Sequence, residues 1–199
     1  KKKKKPESLA RSILPYIDQA TQTLNLGDVA DTMFAKADRA VAIACGTADY
    51  AAHTAKYWFE QKAKLAFETD IASEFRYREP VLPQTGPAMF VSQSGETADT
   101  LAALRYCRQN GTPAVAVVNV PESSIAREAA AIVPTYAGPE IGVASTKAFT
   151  AQLSVLAVLA LNAAKARGHL LPGDEVMAVK SLMALPRKVT EALEIFFFF

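Results

Sequence analysis

The residues that usually announce chemistry are scarce in this sequence. It holds two cysteines (Cys45 and Cys107), two histidines (His53 and His169) and one tryptophan in 199 residues. These make neither a disulfide framework nor a metal-ligand spacing, so no metal and no other cofactor is expected. Cys45 ends an apolar run and Cys107 lies in an amphipathic stretch, where a thiol reads as a small buried hydrophobe. Long apolar runs are missing too. The most apolar, Leu153 to Leu161, is too short to cross a bilayer, and no charged leader with an apolar core and cleavage site opens the chain. The expectation is a cytoplasmic protein without a membrane partner.

Charge of one sign is also lacking once the ends are discounted. Lys1 to Lys5 and Phe196 to Phe199 are single-residue runs and are set aside from fold and function reasoning. Without the five lysines, the 22 basic residues become 17 against 20 acidic ones, so the formal charge of +2 turns negative. The remaining Lys and Arg are scattered singly among acids, with no aromatic-interleaved basic stripe and no helix-turn-helix, which argues against a nucleic-acid partner.

Half of the sequence is hydrophobic, enough for a folded core. Short apolar runs alternate with helical patterns through the middle, the signature of an α/β fold around a parallel sheet. Five strands are predicted: Ala40 to Ala44, Phe67 to Ile71, Ala88 to Ser92, Pro113 to Val118 and Ala131 to Tyr136. The first, third and fourth carry no polar alternation, as strands covered on both faces do. Helices are expected over 50–64, 97–110, 124–130 and 145–167. A helical segment at 6–38, broken near Pro15 and Gly27, should precede the α/β domain at 39–168. Linking helices at 169–195, interrupted at Pro186, should follow it.

Three polar segments begin where strands end: Cys45-Gly46-Thr47-Ala48, Ser92-Gln93-Ser94-Gly95-Glu96-Thr97 and Gly142-Val143-Ala144-Ser145-Thr146-Lys147. Ligands of open parallel sheets lie outside the carboxyl ends of the strands, so these turns should share one crevice. In the second segment Gly95 would let the backbone approach a ligand, and the free amides of the helix that follows make an anion site. Ser92, Gln93, Ser94 and Thr97 add neutral donors, enough to hold a phosphate without an arginine. The plainer alternative is that Ser94 only caps the helix; four donors around one glycine favour anion binding.

Other candidates divide between functional and structural readings. Ser145 and Thr146 could face the far end of a ligand. Lys147 either meets a negative charge or bonds nearby carbonyls, and the second is preferred because a cation at a helix start opposes the dipole. Glu140 is a candidate proton-transfer base, a solvated loop acid being the equal alternative. His53 on a helix face reads as structural, and core packing accounts for most of Tyr57, Trp58 and Phe59.

Four segments together resemble the sugar isomerase (SIS) domain family: ACGTADYAAHTAKYWFE (Ala44 to Glu60), DIASEFRYR (Asp70 to Arg78), SQSGETADTLAALR (Ser92 to Arg105) and EIGVASTKAFTAQL (Glu140 to Leu153). Within that family they are similar to the first isomerase domain of the glutamine-dependent fructose-6-phosphate amidotransferases, the glucosamine-6-phosphate synthases. The resemblance implies a three-layer αβα domain with a five-stranded parallel sheet of nucleotide-binding (flavodoxin-like) type. It also implies that Ser92, Gln93, Ser94 and Thr97 bind the phosphate of fructose 6-phosphate, that Thr47, Val143 and Ser145 line the sugar site, and that the protein is a homodimer.

One departure is Ala48, where the family usually has serine; one hydrogen-bond donor is lost, typically worth about 0.5 to 1.5 kcal/mol. The family's synthases also carry a glutaminase domain and a second isomerase domain that supplies the enolising glutamate, a ring-opening histidine and a lysine. The expectation is therefore a piece that binds sugar phosphate without turning it over alone. A standalone phosphosugar isomerase or deglycase, and a sugar-phosphate sensor module, are the alternatives.

Overall fold

The computed structural model describes residues 4–139 and 146–195. Helix α1 (Lys4–Ile13), a 3-10 turn and the antiparallel strands β1 (Ile17–Asp18) and β2 (Thr23–Leu24) precede the short helix α2 (Val29–Met33). Then β3 (Arg39–Ala44), α3 (Thr47–Trp58), β4 (Ala66–Ile71) and α4 (Ala72–Phe75) follow in order. The next elements are β5 (Ala88–Ser92), α5 (Ala98–Gln109), β6 (Ala114–Val118), α6 (Ser124–Glu128) and β7 (Ala131–Pro134). Two long helices, α7 (Lys147–Ala166) and α8 (Pro172–Ile195), come last.

Strands β3 to β7 form one parallel sheet in the order β4-β3-β5-β6-β7, with helices on both faces. Among these five strands the sequence order is 2-1-3-4-5, the flavodoxin-like arrangement that the resemblance implies. The three runs without polar alternation are the three inner strands. Every residue of β5 and β6 is buried, as is β3 after Arg39, while the edge strands β4 and β7 mix buried with exposed positions.

Side chains of the inner strands divide between two cores by strand period. Ala40, Ala42, Ala44, Met89, Val91, Val115 and Val117 face the layer of α3, α7 and α8. Val41, Ile43, Phe90, Ala116 and Val118 face the layer of α4 to α6. Fully burying one such valine, isoleucine or phenylalanine stabilises by about 1.5–3 kcal/mol, so an apolar run two-sided in burial is what commits these segments to the sheet centre. Alanine at three positions of β3 leaves room for α3 and α7, which pack on each other across that face.

Three expectations need correction. The middle of the N-terminal segment is a hairpin and not helix: Asp18 accepts the N–H groups of Ala20 and Thr21 in a turn that reverses the chain. Pro186 does not interrupt α8, which runs through it; the missing N–H is borne by a stretch that is largely exposed and makes few tertiary demands. The apolar run at 153–161 sits inside α7, whose 20 residues have the length and mean hydropathy (1.4) to cross a bilayer, yet 67% of that window is buried in the fold. α7 is a core helix. Of the three consecutive aromatics, Phe59 is fully buried and stacks on Phe67, with ring centroids 4.4 Å apart, whereas Tyr57 is exposed.

Arg167 fixes the end of α7 in place. Its guanidinium donates to the carbonyls of Ala63 (2.8 Å), Phe34 and Ala37 (2.9 Å each) and Lys64 (3.3 Å), so one side chain ties the segment after α2 and the turn before β4 to the end of α7. Arg167→Ala is expected to lower stability by about 2–3 kcal/mol in urea unfolding, and Arg167→Lys, with fewer donors and no planar fork, by nearly as much.

Candidate functional site

The site forms where the chain changes direction in the sheet. From β3 it crosses to β4 on one side, then to β5 on the other, so β3 and β5 flank the switch point at which open α/β sheets take ligands. Ala44 pairs with Val91 in the parallel register, so the turns after these strands leave the sheet at the same level. Between them lies a cavity of about 200 Å³ lined by Cys45, Thr47, Ala48, Val91, Ser92, Gln93, Ser94, Thr97 and Gln152.

Each strand feeds a helix start that no side chain caps. Gly46, with φ +61° and ψ −132°, is the N-cap of α3, and Thr97 is the N-cap of α5. The first-turn amides and the positive end of each helix dipole are therefore not taken up by a side-chain cap. None of the nine lining residues is charged. The wall offers hydroxyls and amides, a donor set suited to an oxyanion.

The Ser92–Thr97 loop is pinned from within and from outside. The Ser92 hydroxyl accepts the Gly95 N–H (3.0 Å) and lies 3.2 Å from the Thr97 hydroxyl, while Ser94 Oγ accepts the Glu96 N–H (3.2 Å). The turn after β6 holds the other side: Asn119 N–H donates to Gln93 O and Ile125 N–H to Gly95 O. Ser124 N–H donates to the Glu96 carboxylate at 2.7 Å. That bond draws the acid toward Ser124 and holds its carboxyl below the ordinary glutamate range, with Arg127 adding a smaller effect.

Gly95 has a structural reason beside the expected one. Its φ is +66°, and a Cβ there would lie 2.0 Å from Ser123 Oγ. Glycine is needed so that the loop can turn left-handed against the neighbouring turn, and the residue is buried. Ser94, in contrast, does not cap α5; its hydroxyl organises the loop before it.

Of the sequence-derived candidates, Thr47, Ser92, Gln93, Ser94 and Thr97 share this cavity. Glu140, Val143 and Ser145 lie outside the described residues. Lys147 donates to the Pro139 carbonyl, the structural reading. His53 is an exposed helix residue, 3.4 Å from Asp49 and 2.9 Å from the Thr69 hydroxyl. Cys107 is a buried thiol pushed up to about 12 by desolvation, but Cys45 is only half-buried and forms part of the cavity wall, contrary to expectation. Among the described residues no cluster of His, Cys, Asp and Glu could hold a metal. A second cavity of about 570 Å³, lined by Leu161, His169, Met177, Leu182 and Leu185 among others, lies between α7 and α8 and lacks the paired helix starts of the β3–β5 gap.

Gln152 was not anticipated as a wall residue, whereas Ala48 takes the wall position that the turn after β3 led one to expect. Gln152 was legible in principle: it stands on the buried stripe of α7 between Ala148 and Leu156, where an apolar residue is the rule.

Fold and cavity define an open α/β domain with an uncharged, donor-rich crevice at its switch point. Comparison with known proteins narrows this. The SIS domain pattern matches residues 33–162, and the chain belongs to the SIS domain family. It is 54% identical over 188 residues to a glutamine–fructose-6-phosphate aminotransferase [isomerizing] of Bradyrhizobium diazoefficiens, covering 94% of this chain and 31% of that protein. A protein so named from Agrobacterium fabrum is 53% identical over 190 residues, covering 96% and 31%. The chain thus spans about a third of the length of these relatives. Among solved structures, the C-terminal domain of glucosamine-fructose-6-phosphate aminotransferase from Francisella tularensis superposes with a TM-score of 0.91 at 39% identity, over 96% of this chain and 54% of that one.

Two outcomes test the loop. Gly95→Ala is expected to cost about 1–3 kcal/mol in denaturant unfolding, from the left-handed backbone and the clash with Ser123. Glu96 has a depressed folded pKa, so its contribution is complete above the ordinary glutamate value and is lost as pH falls through the folded one. The melting-temperature gap between wild type and Glu96→Gln should therefore be present at pH 7 and close progressively below about pH 4.3.

Proposed function

We propose that this chain binds fructose 6-phosphate in the crevice between β3 and β5, as the sugar-binding isomerase domain of a glucosamine-6-phosphate synthase. The observation that carries it is the charge-free cavity that gathers Thr47, Ser92, Gln93, Ser94 and Thr97 beside two uncapped helix starts. A phosphate dianion needs donors and no acceptors. Hydroxyls, a side-chain amide and first-turn N–H groups supply them.

In this reading Ser92, Gln93, Ser94 and Thr97 hold the phosphate, and Thr47, Val143 and Ser145 line the sugar. The complete protein would convert a ketose to an aldose with amino transfer, forming glucosamine 6-phosphate. The proton shift between adjacent sugar carbons needs a carboxylate base; Glu140 is a candidate in this chain, but the resemblance assigns the enolising glutamate to the second isomerase domain. Relatives about three times as long support a division of labour in which this piece grips substrate and other domains transform it. The protein would work in the cytoplasm as a homodimer, without nucleic acid or membrane. Where relatives of the family usually carry a serine, Ala48 removes a hydroxyl from the wall. Sugar binding is thereby retuned by one bond.

A thermal-shift titration tests the proposal. At about a hundredfold Kd, fructose 6-phosphate should stabilise by roughly 2.7 kcal/mol, which raises Tm by roughly 5–10 °C for a chain of this size. Free fructose should not, and Ser94→Ala with Thr97→Ala should abolish most of the response. No response to any hexose 6-phosphate, or an equal response to free fructose, overturns the proposal.

A further inference from the structure

We infer that Gln152 is a further ligand-binding residue, whose side-chain N–H donates to the phosphate from the α7 layer, across the cavity from the Ser92–Thr97 loop. This rests on the proposed sugar-phosphate site and adds a donor that neither the loop nor the family resemblance supplies.

Gln152 belongs to the cavity wall although the residue is only 2% exposed. Its two amide atoms differ. Oε1 is buried without a hydrogen-bond partner among the described residues, and Nε2 is the accessible one. The amide therefore turns a donor toward the space between β3 and β5. Its neighbours on the helix, Ala148, Ala151, Val155 and Leu156, are buried apolar side chains. Methionine or leucine would fill the same stripe without an unpaired oxygen, which costs stability. What glutamine adds at this position is the N–H.

The sheet sets that N–H opposite the loop. Side chains of α7 pack in one core and those of α5 in the other, so α7 and the Ser92–Thr97 loop reach the crevice from different faces of the sheet. A phosphate monoester carries three terminal acceptor oxygens, and one loop can wrap only the oxygens turned toward it. The remainder need donors from the α7 side. The uncapped start of α3 and the Gln152 amide are the groups available there, and α7 packs directly on α3. Bonds to an ionised acceptor are about twice as strong as those between neutral groups, so the phosphate is the preferred partner of this N–H over a sugar hydroxyl. A neutral donor is also the one polar side chain of this length that fits a wall without charge. Glutamate there would oppose the ligand with its own sign.

Gln152→Met and Gln152→Glu test the assignment. Methionine keeps the length and volume of the side chain and removes its donor; glutamate keeps the shape and replaces the donor by an anionic acceptor. Affinities for inorganic phosphate and for fructose 6-phosphate are measured by calorimetry or competition on the full chain, with unliganded Tm read in parallel. Gln152→Met should weaken both ligands by about tenfold or more, the range for a bond to a charged group. Its Tm should be unchanged or raised, because an unpartnered oxygen has gone. Gln152→Glu should weaken both ligands further than methionine does.

Undiminished binding of both ligands by Gln152→Met overturns the inference and leaves the proposed site intact. Loss confined to fructose 6-phosphate, with inorganic phosphate bound as before, overturns it as well, because the N–H would then serve the sugar. Weaker binding accompanied by a lowered unliganded Tm marks a structural residue and has the same consequence. Failure of the wild-type chain to bind either ligand is a different result: it removes the sugar-phosphate site itself, and the role of Gln152 with it.

Discussion

Parallel pairing of β3 with β5, Ala44 beside Val91, is the constraint on which the rest depends. A parallel strand cannot be followed by a tight turn to its neighbour, so each strand must hand the chain to a helix on one face. Because β3 sends its helix, α3, to one layer and β5 sends α5 to the other, both helices start at the same edge of the sheet from opposite sides. Two helix starts then bracket one gap. Everything polar in the cavity follows from that placement, since a helix start is where the backbone has donors to spare.

The gap would have little use if the loop between β5 and α5 were loose. It is held by bonds from the β6 turn to Gln93, Gly95 and Glu96, and by the Ser92 hydroxyl within. The donors are arranged before any ligand arrives, so less ordering entropy is lost on binding. The one acid of the loop is engaged by Ser124. This explains how a glutamate can sit in the middle of a loop of neutral donors.

Much of the fold was legible because burial on two faces leaves a plain mark. AVAIA, AMFVS and AVAVV have no polar alternation, and they are β3, β5 and β6. The polar turns after β3 and β5 were legible as a pair for the same reason: strand ends are predictable when strands are. What escaped has equally physical causes. The hairpin at 17–24 has two-residue strands, too short for any period to register. Pro186 breaks a helix only where the context cannot spare a hydrogen bond, and context is not local. Gly95 was read as a place for a ligand to approach; its contact with Ser123, 28 residues away, is a product of packing and was not legible. Gln152 lay in plain view on an apolar stripe; its meaning appears only when α7 is laid over the β3–β5 gap.

Absence of charge in the described wall also governs how a ligand gets in and out. A cluster of arginines would draw anions over a distance of several ångströms and would weaken as ionic strength rises. Hydroxyls and helix ends act only at contact. Capture by such a wall would be a short-range event, decided at contact. A ligand held in this way would be bound to an extent that changes little with the salt around it.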